Sequence, residues 1–179
     1  MRSASHRVVF ITRTAVLIAL LITLQWATGF TQAFAGQYIT GSLVNCVLAV
    51  AALFGGLWSG VIVGLVSPFF AFALGVGPKL IQIVPCIALG NATFVALLYW
   101  LNRNQKCKIC ALVVAALGKF LVLFVAVVKV VIPILADALK PAQIATFSTM
   151  FSWPQLVTAA IGGGLAYLIL PILKKAIGK

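Results

Sequence analysis

Acidic residues are almost absent from this sequence. Its 179 residues include one acid, Asp137, and one histidine, His6, beside 13 lysines and arginines. Catalysis by paired carboxylates or by a metal centre needs several such side chains. The sequence also lacks the G-x-x-x-x-G-K-[ST] loop that cradles nucleotide phosphates. We therefore expect no enzyme activity, no cofactor, no metal site and no hydrolysis of ATP by this chain alone.

Cysteines are few, and buried acids are missing altogether. One C-x-x-C pair, Cys107 and Cys110, has no further metal ligands beside it, so we expect reduced thiols. Transporters coupled to protons or sodium usually rely on acids within their membrane spans or on broken helices with coordinating carbonyls. No acid lies within an apolar segment here, so a transporter of this kind must take its energy from a partner.

Apolar residues dominate what is present. They make up 64% of the chain, charged residues make up 8%, and the mean hydropathy is +1.22. This composition predicts an all-α polytopic membrane protein with a single membrane domain, residues 1–179. The apolar runs predict a bundle of six transmembrane helices, with a long loop over residues 134–152 before the last. The approximate spans are 8–28, 38–54, 57–74, 79–101, 109–132 and 153–174.

The basic residues predict the orientation. Nine of them flank the spans on the side that carries both termini, whereas only Lys79 and Lys140 fall in loops on the other side. The positive-inside rule then places both termini in the cytoplasm. Most of the net charge of +12 comes from basic residues that lie beside the apolar spans. Such residues are orientation signals, so we expect no nucleic-acid partner. An alternative is that the first segment is a secretory signal, with the small residues Ala33 and Ala35 marking a cleavage site.

Two lysines interrupt the fifth span. A lysine at mid-membrane costs about 2.5–3.5 kcal/mol and must be sheltered by protein, water or a partner. Lys119 and Lys129 are ten residues apart, about 80° around an α-helix, so we expect them on broadly one side. Lys129 lies near the outer end, and we hypothesise that it binds a carboxylate or phosphate of the substrate. Alternatively, Lys129 reaches the outer headgroups, and Lys119 serves the cytoplasmic half or a partner interface.

Two stretches carry a resemblance to a known family. The opening RTAVLIA, from Arg13 to Ala19, and the small-residue segment LFGGLWSGVIVG, from Leu53 to Gly64, make the chain similar to the substrate-binding S components of energy-coupling-factor (ECF) transporters of bacteria and archaea. The resemblance implies a binder of a vitamin or related micronutrient in the bacterial or archaeal cell membrane. It also implies docking on a transmembrane coupling subunit driven by two ATPase subunits, through the first-helix residues Ala15 and Ala19.

The resemblance implies a pocket near the outer face, and depth along the spans suggests its residues. A pocket there needs aromatic groups and a few polar ones. The candidates are Gln37, Tyr38, Gln82, Asn91, Lys129, Trp153 and Gln155. An alternative function is a non-transporting membrane scaffold or accessory subunit that binds anionic lipid or a partner. Whether the purified protein retains a small molecule distinguishes the two.

Overall fold

The computed structural model describes residues 2–29, 34–103 and 107–176, and this part of the chain is an all-helical bundle. Helix α1 spans Arg2–Gly29. Helix α2, Phe34–Val50, continues as a π-helical turn, Ala51–Gly55. Helices α3 and α4 span Leu57–Ala73 and Ile83–Asn102.

In the second half of the chain, the next helix changes its winding along its length. Helix α5, Lys108–Leu123, continues as a π-helix, Phe124–Val131, and ends in the short turn Ile132–Ile134. A 3₁₀ turn, Ala136–Ala138, leads to α6, Pro141–Met150, and the last helix of the described residues is α7, Trp153–Ala176. The predicted loop over residues 134–152 is therefore wrong: Pro141 begins a helix there, as proline in a first turn favours.

The six long helices pack as a closed ring. Around the ring, α1 contacts α3, α3 contacts α4, α4 contacts α5, α5 contacts α7, and α7 returns to α1 through α2. Within the described residues, five segments are long and apolar enough to cross a membrane: His6–Gly29, Gly36–Gly55, Ile83–Asn102, Lys108–Ile134 and Pro141–Ala176. The sixth, α3, has 17 residues, the lower end of the range that spans a bilayer, about 17–25.

Glycine provides one turn and one close helix contact on which the ring depends. Gly56 has a φ of 93°, a left-handed conformation that side chains disfavour, and it turns the chain from the π-helical end of α2 into α3. One turn later, a Cβ at Gly60 would lie 3.0 Å from the backbone nitrogen of Ala52 and 2.6 Å from Val95. Small residues allow this contact between helices in lipid.

Two separate hydrophobic cores fill the bundle. The larger core lies in the ring itself and includes Leu21, Leu48, Val63, Phe94, Leu98 and Ala159. The smaller core lies under α6, and its buried members are Ile83, Leu123, Val127, Ile132, Phe147 and Phe151. Helix α6 is thus held by packing of its own rather than by the main core.

The cysteine pair differs from its expected state. Cys107 and Cys110 form a disulfide at the start of α5, where we expected reduced thiols. The reason is local: the first helical turn brings the two Cα atoms to 5.2 Å, within the range that a disulfide needs. The pair lies at the end of the bundle that carries the termini.

Candidate functional site

A cavity of about 710 Å³ occupies the end of the bundle opposite the termini. It forms where α1 ends, where α2, α4 and α7 begin, and where α3 ends. The loop 76–78 and α6 lie beside its mouth. The side chains that carry its polarity are Gln25, Thr28, Gln37, Thr40, Asn45, Ser67, Asn91, Lys119, Thr146, Thr149, Gln155 and Thr158.

The deepest charged group is Lys119 of α5, which is only 3% exposed. Its ammonium Nζ donates hydrogen bonds to Asn45 Oδ1 at 2.6 Å and to Asn91 Oδ1 at 2.7 Å. The aromatic ring of Phe94 lies below, with its centroid 5.8 Å from Nζ. Lys119, Asn45 and Asn91, called here the floor of the cavity, join α5 to α2 and α4.

Each asparagine of the floor is held in place by a second set of bonds. Asn45 Nδ2 donates to the carbonyl of Gly41 at 2.9 Å and to Thr158 Oγ1 at 3.4 Å. Asn91 Nδ2 donates to the carbonyl of Gly64 at 3.2 Å and lies 3.5 Å from Ser67 Oγ. With their amide nitrogens engaged in this way, both amide oxygens are directed at Lys119.

The two sides of the cavity differ in polarity. Most of the amides and hydroxyls come from α1, α2, α6 and α7, whereas the α3 and α4 side, apart from Ser67 and Asn91, is apolar and is formed by Pro68, Ala71, Phe72, Val84 and Ile87. Gln25 on the polar side is 6% exposed, and its Oε1 has no hydrogen-bond partner among the described residues. A buried acceptor of this kind calls for a partner in the cavity.

Three of the predicted site residues line the cavity. Asn91 belongs to the floor, and Gln37 and Gln155 lie on the polar side. The side-chain nitrogens of Gln37 and Gln155 both donate to the carbonyl of Met150, at 3.1 and 3.0 Å. They therefore attach the end of α6 to α2 and α7 at the cavity edge.

The other four predicted residues lie away from the cavity lining. The rings of Tyr38 and Trp153 contact each other, with centroids 6.0 Å apart. Gln82 and Lys129 are exposed, and the Nζ of Lys129 lies 5.5 Å from the ring centroid of Phe124.

The expectation that Lys119 and Lys129 share one side of α5 is wrong. Lys119 is buried and faces the cavity, whereas Lys129 is exposed. The cause is the π-helix Phe124–Val131 between them. An α-helix turns by about 100° per residue, but the wider i→i+5 winding of a π-helix turns by less. The angle between the two lysines consequently departs from that of a regular helix.

Ala15 and Ala19 lie on the outer face of α1. Both are exposed, whereas Thr14, Leu17 and Leu21 on the opposite face are buried in the bundle. Ala15 and Ala19, one helical turn apart, thus form a small-residue patch on the outer surface of the bundle.

The comparison with known families agrees with this architecture. A model of the ECF transporter, substrate-specific component, matches residues 9–174. The chain belongs to this family. No curated protein and no solved structure matches it. The protein is thus a multi-pass membrane S component, a transporter subunit that binds substrate, and its family implies a partnership with a coupling subunit and ATPases.

Sequence reasoning missed most of the S component's cavity, although signals were present. Gln25 and Asn45 are uncharged polar residues inside apolar helices, as Asn91 is, and such residues face protein interiors rather than lipid. Lys119 was recognised as needing shelter but was not assigned to the substrate. Its two partners lie 74 and 28 residues away along the chain, and no local pattern pairs residues at such separations.

Proposed function

We propose that this S component captures a vitamin or related micronutrient outside a bacterial or archaeal cell and delivers it inward. A transmembrane coupling subunit and two ATPase subunits supply the movement and the energy. The observation that carries the proposal is the cavity, which is closed at its floor by Lys119, Asn45 and Asn91 and lies at the end predicted to face outward. Its 710 Å³ falls within the range of small-molecule sites, about 300–1,000 Å³.

The proposed substrate contacts are those polar groups that reach the cavity. Gln37, Asn91 and Gln155 remain candidates from the sequence, and the geometry supports adding Gln25 and Lys119 to them. A few placed polar groups within a partly apolar wall are what fixes the orientation of a small ligand.

Retention of a ligand tests the binding function. The full chain, purified in mild detergent and sprayed intact in native mass spectrometry, is expected to carry a small organic molecule. Reconstituted alone in sealed vesicles, the protein is expected to bind that molecule without concentrating it. Retention of anionic lipid alone would favour the scaffold function, and concentrative uptake by the lone protein would contradict the proposed need for partners.

The face of α1 is the proposed docking surface for the coupling subunit. Ala15 and Ala19 are exposed and small, so another helix can approach closely there. Ala15→Trp is expected to block assembly with the coupling module while leaving ligand retention intact. Ala160 of α7 is also exposed, so Ala160→Trp is the matched control and should assemble normally. Equal loss of assembly in both variants would contradict this docking surface.

A further inference from the structure

We infer that the substrate is an organic monocarboxylate whose single negative charge is bound by Lys119 at the floor of the cavity. The inference rests on the proposed function, because it assumes that the cavity holds the transported molecule. The sequence suggests Lys129 as the counter-ion, but Lys119 is the lysine that lines the cavity.

The positive charge of Lys119 has no counter-charge in the cavity lining. Lys119 is 3% exposed, and its partners Asn45 and Asn91 are neutral amides. No lining residue of the cavity is acidic, and Asp137, the one acid of the chain, is exposed in the turn before α6. Burying a charge without a counter-charge is costly. An anionic ligand would offset that cost, whereas a cationic ligand would add its own desolvation cost and repulsion to it.

The ammonium group of Lys119 also has a hydrogen-bond donor to spare. An ammonium group has three donors, and Asn45 Oδ1 and Asn91 Oδ1 accept two of them. The third has no hydrogen-bond partner among the described residues. Because Lys119 lines the cavity, a carboxylate there completes its bonding with a charge-assisted hydrogen bond, which is stronger than a bond between neutral groups.

The single lysine of the cavity favours a ligand with one negative charge rather than two. A phosphate monoester carries about −1.5 to −2 at pH 7, and Lys119 is the only charged residue among those that line the cavity. A dianion would therefore leave a negative charge buried and uncompensated. A carboxylate matches the single lysine, and the remaining amides and hydroxyls suit neutral polar groups on the rest of the molecule.

Matched pairs of vitamins test the inference. The probes are nicotinate with nicotinamide, biotin with biotinamide, pantothenate with pantothenol, and lipoate with lipoamide, each measured by titration calorimetry on the purified full chain. Pyridoxine with pyridoxine phosphate tests the dianion. We expect the acid of at least one pair to bind roughly ten- to a hundredfold more tightly than its neutral partner, and the phosphate not to bind.

Two independent substitutions test whether Lys119 binds the carboxylate, so the test remains possible if one of the variants fails to fold. Asn45→Asp places a carboxylate beside the ammonium of Lys119, so it should abolish the preference for the acid although the lysine remains. Lys119→Met should abolish the preference by removing the cation. The matched controls are Asn102→Asp, at the end of α4 that lies away from the cavity, and Lys129→Gln; both should bind the acid as the wild type does.

The possible results separate the inference from the proposed function. Tighter binding of a neutral vitamin or of the phosphate overturns the monocarboxylate inference and leaves vitamin binding in place. An acid preference that survives Asn45→Asp or is lost in Lys129→Gln overturns the role of Lys119. A retained molecule that carries no carboxylate, identified by native mass spectrometry, overturns the inference and leaves the proposed function in place, whereas failure of every probe to bind together with the absence of any retained molecule contradicts the proposed function.

Discussion

Replacing Gly162 tests the contact that positions the floor. Gly162 of α7 faces α2, and a Cβ built on it would lie 2.7 Å from the backbone nitrogen of Cys46 and 2.6 Å from Asn45 Cβ. It would also collide with the carbonyl oxygen of Ser42. Ordinary contact begins at 3.4 Å, so Gly162→Ala requires a shift of about 0.7 Å for the Cys46 nitrogen alone.

This shift is expensive because the obstructing atoms belong largely to a helix backbone rather than to a flexible side chain. Overpacking of this kind typically costs about 1–3 kcal/mol. Gly164, two residues on, has nothing within 4 Å of its built Cβ, so Gly164→Ala should gain up to about 1 kcal/mol of helix propensity. Gly162→Ala gains the same helix propensity, so overpacking alone separates the two variants, and the unfolding free energy of Gly162→Ala is expected to be about 1–3 kcal/mol below that of Gly164→Ala.

The assay is reversible unfolding in mixed micelles, followed by circular dichroism, with ligand affinity measured on the same preparations. Because α2 also carries Asn45, which bonds Lys119 at 2.6 Å, Gly162→Ala should weaken ligand binding as well, whereas Gly164→Ala should not. Stabilities of the two variants within about 0.5 kcal/mol of each other, the size of an ordinary surface effect, would refute this account of the α2–α7 contact.

Three further outcomes are expected. Gln25→Met should leave the stability of the empty protein within about 0.5 kcal/mol of wild type, since the lost oxygen has no partner in the described structure, but should weaken ligand binding about two- to tenfold. Thr14→Val removes a buried contact of 2.9 Å with Ser59 and should cost about 1 kcal/mol in unfolding, whereas Thr23→Val, at an exposed site, should cost less. Replacing Cys107 and Cys110 together by serine should leave ligand affinity unchanged in calorimetry, because the pair lies at the far end from the cavity.

The helical architecture could be predicted because apolar runs of membrane-spanning length have few alternatives. Helix α6 escaped prediction because its ten residues are too short to span and are only moderately apolar. The π-helix Phe124–Val131 could not be predicted either. Its valine-rich sequence is compatible with an apolar helix in either the α or the π hydrogen-bond register. The site was only partly predictable for the same reason: the winding of α5 decides which lysine reaches the cavity, and the partners of Lys119 come from distant helices.

Because α6 packs on a core of its own, its cavity side can be substituted separately from the helical ring. The floor residues proposed to bind the charge of the ligand belong to helices of the main ring, whereas Ala145, Thr146 and Thr149 of α6 border the cavity from an element packed on Phe147 and Phe151. Substitutions on the cavity side of α6 can therefore change the size and shape of the accepted molecule without disturbing the ring. An engineer who wishes to redirect uptake among carboxylates would accordingly randomise these three positions and leave the floor intact.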